Sequence, residues 1–198
     1  MKTMGVLVTG VGGQGIILAS DIIGEVAITD GYDVKKTDTL GMAQRGGAVL
    51  SHVRVGSKVW SPLIKEGEVD LLLAFEKLEA ARWVNYLRPG ASVVINSYAQ
   101  PPLAVNLGYE NYPSDEEIKG MLSHRTENIC FVGGTERARS AGDIRALNTF
   151  MLGCASQFLP FKVGSWKTII TRRVPARSMQ INMNAFKAGR EEMKDVCR

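Results

Sequence analysis

The chain has 198 residues, a formal net charge of +4, and 45% hydrophobic against 22% charged residues, the balance of a globular protein with a core of its own. No apolar run approaches the roughly 18 residues that span a bilayer. Met1-Lys2-Thr3 leads straight into a strand-like segment without a secretory signal, so a cytoplasmic protein with no membrane role is expected.

Gly5-Val6-Leu7-Val8-Thr9 predicts a short buried strand that runs into the glycine-rich turn Gly10 to Gly15. Beyond it Ile16, Ala19, Ile23 and Val26 recur at three- and four-residue steps, a helix to about Ile28 that Gly31 stops. Asp33 to Thr37 reads as a second strand, made parallel to the first by a right-handed crossover. Asp38 to Gly47 reads as a loop, Ala48 to Val55 as an alternating strand, Gly56-Ser57 as a hairpin turn and Lys58-Val59-Trp60 as its return strand. Then come a solid strand at Leu71 to Phe75, an amphipathic helix from Glu76 to Leu87 closed by Pro89-Gly90, and a strand at Ala91 to Asn96. Leu103 to Leu107 suggests one more strand, Ser114 caps a helix to about His124, and Asn128 to Val132 is the last strand. A long helix from about Gly142 to Leu159 and a helical tail, Ser165 to Arg173 and then Pro175 towards Val196, complete the chain. The result is α/β: a Rossmann-like, mostly parallel sheet with an inserted β-hairpin, one domain over 1–160 with a helical C-terminal extension at 161–198.

Two loops carry chemistry. Gly10-Val11-Gly12-Gly13-Gln14-Gly15 matches G-x-G-x-x-G between a strand and a helix, where bare backbone N–H groups can meet an anion. A dinucleotide site would add an acidic residue some 20 positions on. Asp38 lies near that place, but Lys35 and Lys36 precede it and a glycine loop follows. Three readings stand: a dinucleotide, another phosphate-bearing ligand, or turn geometry alone. In the second loop, Gly41-Met42-Ala43-Gln44-Arg45-Gly46-Gly47, a guanidinium beside Gly46 and Gly47 presents a fork of donors to a carboxylate or phosphate. Both loops leave the carboxyl ends of strands, so they are expected to flank one crevice. The alternative is that Arg45 pairs with an acid such as Asp38 and pins the loop.

These motifs, with Ser51-His52-Val53-Arg54, Ser61-Pro62-Leu63-Ile64, Asp70 to Glu76 and Asn148 to Gly153, resemble the gamma-type domain of the 2-oxoacid:ferredoxin oxidoreductases over most of residues 4–160. The Met-Ala-Gln-Arg-Gly-Gly wording is closest to the small (beta) subunit of the indolepyruvate branch. The resemblance implies a holoenzyme that oxidatively decarboxylates an aryl-2-oxoacid to an aryl-acyl-CoA, with thiamine diphosphate and iron–sulfur clusters on a large alpha subunit and ferredoxin as electron acceptor. This chain would then carry no catalytic residue and no metal, would be inactive alone, and would help complete the assembly and admit coenzyme A. Gly10, Gly12, Gly13, Gln14, Gly15, Arg45, Gly46 and Gly47 are the candidate binding residues.

The remaining composition agrees with that division. Cys130, Cys154 and Cys197 are scattered and odd in number, which fits a reducing compartment better than a disulfide framework and is too few for an ordinary iron–sulfur cluster. Two histidines without a CxxC do not make a zinc site. The basic excess falls in residues 100–198 with no patch or aromatic stripe, so no nucleic-acid partner is expected. His52 and Arg54 share a strand face that either lines the crevice with Arg45 or meets solvent. Arg137, Arg139 and Arg145 either attract CoA phosphates or form a solvated surface. Cys154 reads as an inert buried thiol, and the stripe Met179, Met183, Phe186 and Met193 as core or as a docking face. Rival functions are the gamma subunit of a pyruvate or other 2-oxoacid enzyme, a stand-alone nucleotide-binding regulatory module, and a self-sufficient NAD-dependent oxidoreductase.

Overall fold

The computed structural model describes residues 3–40 and 47–196. Among them a six-stranded sheet is built from β1 (Met4–Val11), β2 (Asp33–Leu40), β3 (Ala48–Gly56), β4 (Val69–Ala74), β5 (Leu87–Asn96) and β6 (Ile129–Val132), in the order β2-β3-β1-β4-β5-β6. β1, β4, β5 and β6 run parallel, and β3 is antiparallel to both of its neighbours. The helices are α1 (Ile16–Thr29), α2 (Lys77–Arg82), α3 (Leu103–Asn106), α4 (Asp115–Ser123), α5 (Gly134–Ser140), α6 (Leu147–Ala155), α7 (Val163–Arg173) and α8 (Met179–Val196).

Both faces of the sheet are covered, which is why its central strands read as mostly apolar runs rather than alternating. Val6, Val8, Leu71 and Leu73 point to one side and meet α1, α6, α7 and α8. Leu7, Leu72 and Ala74 point to the other and meet α2 and α4. The tail shares the first core: Trp166, Ile170 and Phe186 are buried in it. Phe186 and Met193 of the C-terminal stripe are packed there too, with Met183 partly buried beside them, so the stripe serves the core. α6 and α8 cross almost backbone to backbone. A Cβ on Gly153 would stand 2.3 Å from the Phe186 carbonyl oxygen, and one on Gly189 2.0 Å from that of Phe150.

Several expectations need correction. β2 runs to Leu40, beyond the expected loop start at Asp38, and does point the same way as β1, but β3 lies between them. The inserted hairpin is β2–β3, and Lys58-Val59-Trp60 is not a return strand. The hydrogen-bonding edge it would have taken belongs to β1, and Asp33 Oδ2 instead accepts the Val59 N–H at 2.8 Å. The helix expected to Leu87 ends at Arg82, followed by a 3₁₀ turn at Val84–Tyr86, and Pro89-Gly90 lies inside β5, where the register with β4 shifts. Leu103 to Leu107 forms the short helix α3 rather than a strand. The long helix from Gly142 is a 3₁₀ turn at Ile144–Ala146 followed by α6, and α5 ahead of it was not anticipated. The tail helix begins at Met179, after a 3₁₀ turn at Ala176–Ser178. Cys154 is free and buried, its thiol pushed well above the ordinary range by desolvation.

Candidate functional site

The chain leaves β1 through α1 on one face and leaves β4 through α2 on the other, so the crevice between their carboxyl ends is the switch point where α/β folds bind ligands. The glycine turn stands at its lip. Gly13 has φ 101° and Gly15, capping α1, has φ 78°, conformations that side chains with a Cβ adopt at a cost. Gly15 is needed for space as well, since a Cβ there would lie 2.0 Å from the Asn148 side-chain amide. With its nitrogen toward the turn, that amide donates to the Gln14 and Gly15 carbonyls, each at 3.3 Å. Gly10 plays another part. It is buried in β1, where a Cβ would stand 2.6 Å from Gln14 Oε1, and that oxygen accepts the Val11 N–H at 2.8 Å. Gly10 therefore makes room for the side chain that staples the turn.

Of the second loop, Gly47 meets the first: the Gly12 N–H donates to the Gly47 carbonyl at 2.8 Å, one rung beyond the antiparallel pairing of Val11 with Ala48. Arg45 and Gly46 lie outside the described residues. Asp38 takes no ribose-binding place: it accepts from Lys36 Nζ at 2.8 Å and from Ser51 Oγ at 2.6 Å, which fastens the hairpin. His52 and Arg54 do not reach the crevice. His52 Nδ1 accepts the Ile64 N–H at 3.3 Å, burial lowers its pKa, and Arg54 donates to the Leu63 carbonyl at 3.1 Å. Both hold the 57–68 segment against the sheet.

Gly12, Gly13, Gln14 and Gly15 line a pocket of about 630 Å³ that opens toward the C-terminal helices. Its wall carries Arg139, Arg145, Arg173 and Arg177 against the single carboxylate of Asp143. Arg145 is committed to Asp143 through Nε at 2.9 Å and Nη2 at 2.9 Å, which holds that carboxyl below its usual range. Arg173 bridges Asp21 at 3.1 Å and Glu25 at 3.4 Å on α1. The side chains of Arg139 and Arg177 make no hydrogen bond or ion pair among the described residues, though Arg177 stands near enough to Asp143 to help hold its carboxyl down, so their guanidinium donors remain available. Arg137, grouped with them in sequence, pairs instead with Glu192 at 2.9 Å. The floor is fixed from the tail: Thr149 Oγ1 donates to Asn182 Oδ1 at 2.6 Å, and Asn182 Nδ2 donates to the Ser178 carbonyl at 2.9 Å. No acidic side chain sits in the first turn of α1, so nothing within that turn repels an anion from the positive end of the helix. Arg173, Arg177, Asn148 and Asn182 escaped sequence reasoning. The only local sign was the run of arginines about Pro175.

The arrangement brings a glycine turn, a helix start and guanidinium donors to one cavity, a chemistry able to accept an anion. Among the described residues no three His, Cys, Asp or Glu side chains gather as metal ligands, and no helix is long and apolar enough to cross a membrane.

The chain is 35% identical over 199 residues to the indolepyruvate oxidoreductase subunit IorB of Pyrococcus horikoshii, covering 99% of this chain and 98% of that one. It is 38% identical over 186 residues to the IorB subunit of Methanothermobacter thermautotrophicus, covering 93% and 94%. Among solved structures it resembles the gamma subunit of a keto/oxoacid ferredoxin oxidoreductase from Geobacter sulfurreducens, with a TM-score of 0.71 at 22% identity over 97% of this chain and 99% of that one. It also resembles the 2-oxoglutarate:ferredoxin oxidoreductase of Magnetococcus marinus, solved with 2-oxoglutarate, coenzyme A and succinyl-CoA bound, with a TM-score of 0.75 at 20% identity. That match covers 98% of this chain but 32% of the other, so the same fold is there one part of a longer polypeptide. Residues 5–192 match the pyruvate ferredoxin/flavodoxin oxidoreductase family, and the chain belongs to it.

Proposed function

We propose that this chain is the small subunit of a cytoplasmic aryl-2-oxoacid ferredoxin oxidoreductase of the indolepyruvate type. A large alpha subunit would carry thiamine diphosphate and the iron–sulfur clusters, which supply the carbon–carbon cleavage and the electron transfer to ferredoxin. The observation that carries the reading is full-length likeness to IorB subunits at 35–38% identity, against 26% for a 2-oxoglutarate synthase subunit. The described residues do not suit a cluster, because no three His, Cys, Asp or Glu side chains gather among them.

They do suit a phosphate. The glycine turn, the start of α1 and the uncommitted Arg139 and Arg177 fit the phosphate-bearing end of coenzyme A. On this reading Gly12, Gly13, Gln14 and Gly15 are the backbone side of the site, Gly10 shapes the turn and Gly47 stands beside it, while Arg45 and Gly46 are proposed from the sequence motif alone.

The test is the reconstituted holoenzyme, with CoA and oxoacid titrated separately. Replacing Arg139 and Arg177 by alanine raises the KM for CoA ten- to a hundredfold, the equivalent of about 1.5–3 kcal/mol of charge-assisted hydrogen bonding, and leaves that for the oxoacid unchanged. An unchanged CoA requirement overturns the pocket assignment. Decarboxylation of indolepyruvate by the isolated chain with thiamine diphosphate and a dye acceptor overturns the subunit reading.

A further inference from the structure

Residues 99–112 leave the carboxyl edge of the sheet and return to it on a single anchor. Glu76, 1% exposed at the end of β4, accepts the Gln100 N–H through Oε1 at 3.0 Å, and the same oxygen accepts the Tyr112 hydroxyl. Its other oxygen accepts the Glu79 N–H at 2.9 Å and caps α2. The Tyr112 oxygen in turn accepts the Leu78 N–H at 3.1 Å. Both feet of the excursion are thus fixed on one buried carboxylate. Between them α3 closes on itself, with Gly108 at φ 78° and the Tyr109 N–H donating to the Ala104 carbonyl at 2.9 Å.

What this well-fastened excursion holds out is apolar. Leu103 is 71% exposed, Leu107 57% and Tyr109 80%. Large side chains presented together on a fixed backbone do nothing for the stability of the chain alone. They are the form a preorganised binding surface takes, because the ordering cost is met before the partner arrives. We infer that this excursion docks the large subunit of the same enzyme, an inference that rests on the subunit reading above. In the Magnetococcus relative the fold is one part of a longer chain, whereas the IorB relative matched over 98% of its length is a separate subunit, so the subunit reading requires a docking surface on this fold.

Charge selects the occupant. Glu110 follows Tyr109, and α4 opens on Asp115, Glu116 and Glu117. Glu110 and Glu116 have no ion-pair partner among the described residues. A two-fold contact between copies of this chain would set that acidic flank against itself, which costs free energy, whereas a partner with an apolar hollow and a basic rim is attracted and aligned. Because Tyr98 and Gln100, at the first foot of the excursion, line the pocket, a partner seated there also stands beside the pocket.

The experiment titrates the large subunit from the same organism against wild-type chain, a Leu107→Ser/Tyr109→Ser double variant, and Glu110→Lys, with thermal unfolding of each isolated chain as a check of folding. The double variant binds at least tenfold more weakly at an unchanged unfolding midpoint. Glu110→Lys also binds more weakly, by a margin that shrinks as salt is added. Binding of the double variant equal to wild type overturns the inference. So does a wild-type dimer that the double variant turns into monomer, because the patch would then be a self-contact. Failure of the wild-type chain itself to bind the large subunit overturns the subunit reading instead.

Discussion

The two faces of the sheet are built on different principles. The side covered by α1, α6, α7 and α8 buries Trp166, Phe150 and Phe186 and brings α6 and α8 to backbone contact at Gly153 and Gly189. The side covered by α2 and α4 is filled by smaller residues such as Leu72, Ala80 and Val93, and fastens its loops through hydrogen bonds to the buried Glu76. The first face makes a pocket by closing helices from distant parts of the chain around the glycine turn. The second makes a display by fixing an excursion and leaving its apolar side chains uncovered. Close packing thus serves ligand enclosure, and polar anchoring serves presentation.

The sharpest way to break this contrast is at Gly189. On a solvent-exposed helix, glycine to alanine stabilises by about 1 kcal/mol. Here the new Cβ would stand 2.0 Å from the Phe150 carbonyl, so Gly189→Ala should destabilise by on the order of 3 kcal/mol, read as a fall in the urea midpoint. A rise in the midpoint would mean that the helices do not meet. A smaller effect is expected on the other face. Tyr112→Phe deprives the Leu78 N–H of its acceptor and Glu76 of one donor, a loss of about 1–3 kcal/mol, and it should make the 99–112 segment exchange its amide protons faster while leaving α6 and α8 unchanged. Equal exchange in wild type and variant would show that the anchor is not what holds the excursion.

The smallest effect is a pH dependence. His52 is buried against Tyr86 and accepts the Ile64 N–H, and desolvation lowers its pKa from 6.5. Its contribution is therefore complete above pH 6.5 and is lost as the pH falls below that value toward the depressed one, because the unfolded chain binds the proton first. Urea midpoints measured from neutral pH downward should fall, and His52→Gln should flatten the slope. An equal slope in the variant would place the titrating group elsewhere.

How much of this was legible in sequence depended on range. The β1 strand, the glycine turn and α1 are written in consecutive residues, so local pattern sufficed, whereas the bond from Gly12 to Gly47 comes from the unforeseen pairing of β3 with β1. Lys58-Val59-Trp60 misled because Gly56-Ser57 has the chemistry of a hairpin turn while the edge beside β3 was already taken by a strand some forty residues earlier. α3 is too short for helical periodicity to emerge from Leu103 to Leu107. Arg45 drew attention through its glycines. Arg173 and Arg177, which do stand at the pocket, reach the turn from more than 150 residues away, a distance no local pattern spans.

The interposed β3 has a consequence for how the chain is made. When β2 emerges during synthesis it runs parallel to β1 but one strand-width away, with no hydrogen-bonding partner until residues 48–56 follow it. The first βαβ-like segment is therefore no autonomous folding unit. Both strands wait on β3, whose arrival completes two ladders at once along Met4–Val11 and Asp33–Leu40. Long-range pairing of this kind is slow and cooperative. A ribosome stalled just after β2 would hold a chain with one formed helix and two open strand edges, the state in which this subunit is most exposed to aggregation.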